Sequence, residues 1–221
     1  MILALNTATI QTAIALTHNG KVLFGKTWLA NRDEGEKLLP AIQTALKKTK
    51  RSFDELEKIA VISGPGTFTG LRIGVAMANG LAFSQKVKVT SFGTFEYLQA
   101  SLPAAKKKNT AIMVKAGGAY VAVLEPKAKK SLLIEKTLLP VWLKKKKNIR
   151  YLYADLQPEE LKLLKQELKL VAQKWITAKE LQSFGKTMVQ LLTIKRPTKA
   201  IATPVYLRKP KITQSKKPNF N

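Results

Sequence analysis

Residues 63–84 constrain the fold more than any other stretch of this chain. They read Ser63-Gly64-Pro65-Gly66-Thr67-Phe68-Thr69-Gly70-Leu71-Arg72-Ile73-Gly74 and run on through Ala78-Asn79-Gly80-Leu81-Ala82 to Ser84. Leu71, Ile73, Val75, Met77, Leu81 and Phe83 make residues 70–84 apolar nearly all round. A helix of that kind has to be covered on more than one face. Gly70, Gly74, Ala78 and Ala82 recur every four residues. They form a narrow stripe along which another helix, of this chain or of a second one, can approach closely. The preceding loop, 64–69, has glycines for positive φ and close backbone approach, and Thr69 is available as a cap. It lacks the GK[ST] ending of a Walker loop and the spacing of a dinucleotide fingerprint. A rigid turn that sets a helix in place is therefore a simpler reading than a phosphate loop. Arg72 falls in the first turn, where the helix dipole disfavours a cation. Either a carboxylate or carbonyl partner holds it there, or it is simply exposed.

The flanking pattern gives the rest of the architecture. Apolar runs at 2–5, 13–16 and 22–28, broken by short polar turns, read as a three-strand antiparallel meander. His18, beside the Asn19-Gly20 turn, reads as a solvated turn residue. Leu38, Ala41, Ile42, Ala45 and Leu46 have helical spacing, with Pro40 expected in the first turns. Ser52–Glu55 has capping-box spacing. A strand at 59–62, the helix at 70–84, a strand at 87–91 and a helix at 94–102 complete a βββαβαβ block. After Lys106 a second block repeats the order loosely: strands at 110–114, 120–124, 132–138 and 149–154, and helices at 158–168 and 178–192. No sequence repeat accompanies this, so the duplication rests on element order. Two halves of this kind fit the ribonuclease-H-like units of an actin-type α/β protein.

Composition narrows the function classes. The chain has 221 residues, 45% of them hydrophobic, which is enough for a proper core and excludes a disordered tail protein. There is no cysteine and a single histidine, His18, which excludes disulfides, thiol nucleophiles, Cys-ligated metals and His-pair metal sites. The longest apolar stretch, 73–83, is interrupted by Gly and Asn and is too short for a membrane span. The opening MILALNTAT reads as a strand and not as a signal peptide; the expected location is cytoplasmic. Net charge is +25, of which +17 falls in residues 111–221. Such a surface attracts polyanions. Lysine outnumbers arginine 33 to 6, however, and lysine is a solvated point charge, so plain solubility explains the excess equally well.

Three blocks in order carry a family resemblance: Leu3-Ala4-Leu5-Asn6-Thr7-Ala8-Thr9, Gly64–Gly74 with Ala78–Ala82, and Pro204-Val205-Tyr206-Leu207-Arg208. Leu38-Leu39-Pro40 adds to them. On these motifs the chain resembles the TsaB (YeaZ) family of bacterial proteins, chiefly through its N-terminal half. The resemblance implies an α/β, actin-like (ASKHA) fold of two ribonuclease-H-like subdomains with mixed sheets flanked by helices. The expected division is an N-terminal subdomain at 1–105 that carries the pairing surface, a C-terminal subdomain at 106–208 and a basic tail at 209–221. The implied role is that of a non-catalytic subunit in making N6-threonylcarbamoyladenosine at position 37 of tRNAs that decode ANN codons. Implied partners are the larger paralogue TsaD, which holds the metal and performs the transfer, the ATPase TsaE, and tRNA through the complex. A homodimer is implied when the chain is alone.

The resemblance assigns the pairing surface to Leu38, Ile42, Leu46, Gly70, Leu71, Gly74, Met77, Ala78 and Leu81. It makes Asn6, Thr7 and Thr9 a vestigial phosphate loop, because family members commonly carry Asp where this chain has Asn6, and a neutral amide is a poor stand-in for a carboxylate near Mg²⁺. In the matching turn of the second half, Lys115-Ala116-Gly117-Gly118 stands where the family reads Asp-Ala-Arg. No metal and no cofactor is expected in the chain itself; an adenine nucleotide is expected only at a composite junction with the partner. Lys144, Lys145, Lys146, Lys147, Arg208, Lys209 and Lys211 are candidates for facing tRNA. Two other classes remain: an autonomous ASKHA-type nucleotidase or small-molecule kinase, and a stand-alone basic RNA-binding module.

Overall fold

The computed structural model describes residues 1–31, 33–116, 120–169, 173–194 and 197–207. The chain opens with β1 (Ile2–Asn6), β2 (Gln11–His18) and β3 (Lys21–Leu29), paired antiparallel with Leu3 opposite Leu16 and Ala15 opposite Gly25. Asn19 and Gly20 both take positive φ, the conformation that a two-residue hairpin turn requires. Then follow α1 (Glu34–Thr49), a 3₁₀ turn at Phe53–Glu55, β4 (Lys58–Gly64), α2 (Phe68–Ser84), β5 (Lys88–Gly93) and α3 (Thr94–Ser101). β4 lies parallel to both β1 and β5. Parallel neighbours need a crossover, and α1 and α2 supply it. The sheet order is β3-β2-β1-β4-β5.

The second half comprises α4 (Ala104–Lys107), β6 (Thr110–Lys115), β7 (Tyr120–Leu124), β8 (Leu132–Glu135), α5 (Leu139–Lys144), β9 (Tyr151–Asp155), α6 (Pro158–Glu167), β10 (Lys174–Trp175) and α7 (Phe184–Leu192). Its sheet runs β8-β7-β6-β9-β10, with β6 antiparallel to β7 and parallel to β9. The two halves therefore share one strand order and one pattern of directions. This is the actin-like arrangement of two ribonuclease-H-like units.

The period-two alternation of the strands sorts their side chains into three cores. Leu3, Leu5, Ile14, Leu16, Ile59 and Val61 face α1 and α2. Ala4, Ala13, Ala15, Ala60 and Ile62 face inward, where they meet α3 and α7 together with Ile112, Val114 and Tyr153 of the second sheet. Ala111, Met113, Val121, Val123 and Leu152 face α5 and α6. The alanines on the inner face let α7 lie close to the first sheet; a Cβ on Gly185 would already meet Val22 and Ala15.

Several sequence expectations shift. The strand expected to run from 132 to 138 stops at Glu135, and a 3₁₀ turn leads into α5, where Pro140 sits in the first turn. The helix expected at 178–192 is divided into a 3₁₀ turn at Ala178–Glu180 and α7. α2 begins at Phe68 with Thr67 as N-cap, so Thr69 lies inside the helix and caps nothing. Pro40 is the seventh residue of α1 and exposed, and the helix runs on past it to Thr49. Residues 199–205, expected with the second subdomain, return to the first half: Lys199 bridges Val89, and Val205 bonds to Ser63.

Candidate functional site

The carboxyl end of β1 turns sharply through Thr7–Ile10, and three distant parts of the chain close on that turn. Asn6 is fully buried. Its Nδ2 donates to Thr9 Oγ1 at 2.7 Å and to the Gln11 carbonyl at 3.3 Å, while its Oδ1 accepts the Ala8 N–H at 3.0 Å. The Thr9 hydroxyl passes the chain on to the Gln11 carbonyl at 2.8 Å. Thr7 Oγ1 donates to the Gly70 carbonyl at 2.6 Å, and the Thr67 N–H donates to the Ala8 carbonyl at 3.2 Å. α2 can come this close only because it lacks side chains there. A Cβ on Gly66 would run into the Ala8 carbonyl, one on Gly70 into the Thr7 carbonyl, and one on Gly74 into the Thr7 hydroxyl.

The C-terminal segment closes the other side of the loop. The Val205 N–H donates to the Ser63 carbonyl at 2.7 Å. Gly64 takes φ +124°, and any side chain there would strike the Val205 carbonyl. Asn79 exchanges two hydrogen bonds with Ala202, at 2.8 and 3.0 Å. Arg72 finds its partner within the chain: its guanidinium lies 3.9 Å over the Phe68 ring, and its Nε donates to Tyr206 Oη at 3.4 Å. Phe68 and Tyr206 pack at 4.9 Å between ring centroids.

The second half reaches the same turn through Asp155, at the carboxyl end of β9. Its Oδ2 accepts the Ile10 N–H at 3.1 Å. Burial pushes the Asp155 carboxyl up to about 7, against the lowering effect of that hydrogen bond. Burial, and then the nearby Asp155, hold the Tyr97 and Tyr153 phenols well above their ordinary range. Lys115, which stands where the resemblance implies an acid, pairs with Glu160 at 3.0 Å, and Lys136 pairs with the same carboxylate at 3.2 Å. Burial raises the Glu160 carboxyl, and the two ammonium groups outweigh it, leaving it below the usual range. Residues 117–119 lie outside the described residues. Among the described residues, no three His, Asp or Glu side chains cluster as metal ligands would.

Residues 28–137 match the family of TsaD, tRNA N6-adenosine threonylcarbamoyltransferase. Curated relatives include the tRNA threonylcarbamoyladenosine biosynthesis protein TsaB of Escherichia coli, 34% identical over 51% of this chain and 47% of that one. The TsaB of Bacillus subtilis is 31% identical over 45% and 44%. Among solved structures, YeaZ of Pseudomonas aeruginosa superposes with a TM-score of 0.50 at 25% identity, over 60% of this chain and 63% of that one. Over part of its length the chain is similar to proteins named TsaB or YeaZ. A second crystal structure, of an uncharacterised protein similar to YeaZ, shares the fold over 94% of this chain, with a TM-score of 0.70 at 19% identity. The chain spans about half the length of the curated TsaB relatives it matches. The three blocks that carry the TsaB resemblance, 3–9, 64–74 and 204–207, are the ones that meet around the β1–β2 turn.

The residues assigned to pairing need correction. Leu38, Ile42, Leu46, Gly70, Leu71, Gly74 and Ala78 are buried in the chain's own core, and only Met77 and Leu81 are part-exposed. Gly70 and Gly74 of the small-residue stripe face the β1–β2 turn, while Ala78 and Ala82 join the core shared with α1 and the first sheet. The solvent side of the same helices is Leu39 on α1 and Ile73, Ala76, Met77, Gly80 and Leu81 on α2, with Phe83 89% exposed at the end. Periodicity could have found this face, since Ile73, Met77 and Leu81 also recur every four residues. Asp155 carried no sequence signal. Of the basic candidates, Lys144, Lys145 and Lys147 are exposed, whereas Lys146 is held by Glu125 at 2.9 Å and lies over Trp142. Arg208, Lys209 and Lys211 lie outside the described residues. Among the described residues, no helix is long and apolar enough to cross a membrane.

Proposed function

We propose that this chain is a non-catalytic, cytoplasmic subunit of N6-threonylcarbamoyladenosine synthesis. It pairs with a TsaD-type threonylcarbamoyltransferase that modifies adenosine 37 of ANN-decoding tRNAs, and TsaE joins the pair. The observation that carries this reading is the apolar solvent face of α2, with Ile73, Ala76, Met77, Gly80 and Leu81 beside the nearly free ring of Phe83. A face of that kind marks an interaction surface. The names of the relatives supply the pathway, and the match to the TsaD family supports a partner of the same fold. The polar groups of the Asn6–Thr9 turn are engaged with one another, which speaks against an autonomous nucleotidase. Alone, the same face pairs two copies of the chain.

Ala76 and Gly80 are both exposed, and a side chain on Gly80 meets nothing. Ala76→Glu and Gly80→Glu therefore leave folding intact and place a charge at the centre of the proposed contact. Co-expression with the TsaD-type paralogue followed by size exclusion should give one complex for the wild type. Each variant should weaken it by roughly a hundredfold or more, as expected for an unpaired charge in an interface core. Co-elution of both variants at wild-type strength would remove this face from the pairing surface.

A further inference from the structure

We propose that the Asp155 side chain is a built-in occupant of the seam between the two sheets, an intramolecular carboxylate that takes the anion position at the β1–β2 turn and keeps a phosphate-bearing ligand out. This goes beyond the pairing reading and does not depend on it, because the test below uses the isolated chain.

In α/β sheets, ligands bind in the crevice outside the carboxyl ends of the parallel strands, where connections diverge. Here the carboxyl ends of β1, β4 and β9 converge. The turn after β1 is in contact with Gly66 after β4, and the last residue of β9 is Asp155. A short turn with free amide N–H groups at such a place is an anion position. In this chain two of its donors are already taken. The Ala8 N–H goes to Asn6 Oδ1, and the Ile10 N–H goes to Asp155 Oδ2 at 3.1 Å. One of these acceptors comes from the turn itself. The other crosses from the second sheet, 145 residues away in sequence.

Asp155 is also out of place as a mere sheet residue. It is almost completely buried, it has no cation as partner among the causes of its shift, and its backbone lies opposite Val114 in an otherwise apolar inner core. A buried carboxylate without a counter-ion is costly. The Ile10 N–H is the donor that offsets part of this cost. The groups facing it are Tyr97 of α3 and Tyr153 of β9, both held as neutral phenols, so neither supplies a charge that could replace the carboxylate.

The full chain is compared with Asp155→Ser and Asp155→Asn by two-dimensional amide spectra, with metal-free ATP and inorganic phosphate as separate probes at millimolar concentration. Asp155→Ser removes the carboxylate and makes room, so its Ile10 amide should shift saturably. Its apparent affinity for at least one probe should exceed that of the wild type by roughly tenfold or more. Asp155→Asn keeps the shape and an acceptor oxygen and should stay closed. Equal response to both probes identifies a simple phosphate position; response to ATP alone adds the nucleoside. Wild-type binding as strong as that of Asp155→Ser overturns the proposal, and so does the absence of binding to Asp155→Ser. If Asp155→Ser does not fold, the wild-type Ile10 amide must follow the Asp155 carboxyl titration with a shared midpoint and lose that dependence in Asp155→Asn. An Ile10 amide indifferent to that titration overturns the proposal equally.

Discussion

Glycines 66, 70 and 74 show what a single missing side chain does here. Gly70 faces the Thr7 carbonyl, a backbone atom that cannot swing aside. Gly70→Ala should therefore destabilise the chain by about 2 kcal/mol, because overpacking costs about 1–3 kcal/mol and outweighs the gain of up to about 1 kcal/mol in helix propensity. Gly80 sits on the same helix with open space around it. Gly80→Ala should stabilise by up to about 1 kcal/mol, so opposite shifts of the denaturant midpoint check the pair. The sequence showed that these glycines needed close approach, but not what approached them. The partner is a turn some sixty residues away, and nothing local in a helix names it. Asp155 is the opposite case, an acid with no local signal whose meaning comes wholly from burial. Its carboxyl is raised to about 7 from 3.8. The folded state therefore binds the proton more tightly than the unfolded one, and its stabilising share is complete at low pH and lost as pH rises towards 7. Between pH 5 and 7 the wild type should lose stability relative to Asp155→Asn by at most about 1.4 kcal/mol per pH unit. Denaturation of both at pH 5, 6, 7 and 8 tests this, and the comparison cancels every other titrating group. Parallel curves would mean that Asp155 is already ionised at pH 5.

Elements were most legible where periodicity was strong and least where a proline or a short turn intervened. The meander, α1, β4 and α6 follow their apolar spacing. α5 was hidden inside an apolar run that reads equally well as strand, and Pro140 in its first turn decides for the helix. β10 has only two residues and pairs because β9 offers a free edge. α2 was read as apolar nearly all round, and its stripe was left open to a helix of this chain or of another; Gly70 and Gly74 instead receive the β1–β2 turn, and Ala78 and Ala82 join the core shared with α1. Small residues announce close approach without saying whether it comes from inside or outside. The same helix also anchors the returning C-terminal segment. Asn79 is the hinge pin of that contact, since its amide satisfies both the N–H and the carbonyl of Ala202, which is buried. Asn79→Ala leaves both backbone groups without that partner and should cost roughly 1–3 kcal/mol. Hydrogen exchange should show the loss first at residues 199–206, and Asn79→Asp should restore only the bond to the Ala202 N–H. Global loosening with no local excess at 199–206 would show that Asn79 does more than dock this segment.

At the scale of the whole molecule, the two halves are unlike in charge. Most of the +25 belongs to residues 111–221, while the exposed apolar face lies on α1 and α2 of the first half. The two features point away from competition: one end of the molecule is suited to a protein partner and the other to a polyanion. The fold sharpens which lysines can serve. Lys115, Lys136, Lys146 and Lys106 are each committed to a carboxylate within the chain. Lys144, Lys145 and Lys147 stand exposed around the end of α5, and no ion pair with them occurs among the described residues. The run of four thus divides into one structural lysine and three free ones, a distinction the sequence could not make because Glu125 lies 21 residues upstream. If the free three lie against tRNA in the assembled complex, each phosphate they neutralise adds roughly 0.7–0.9 to the slope of log affinity against log salt. The triple change of Lys144, Lys145 and Lys147 to Gln should then lower that slope by about 2–3 and leave the denaturant midpoint in place. Lys146→Gln should do the reverse, costing stability by freeing Glu125 and leaving the slope nearly unchanged. Titrations of tRNA into the paired complex across a range of salt read both quantities. An unchanged slope for the triple variant would return these lysines, and with them much of the +17, to the plain business of keeping the chain in solution.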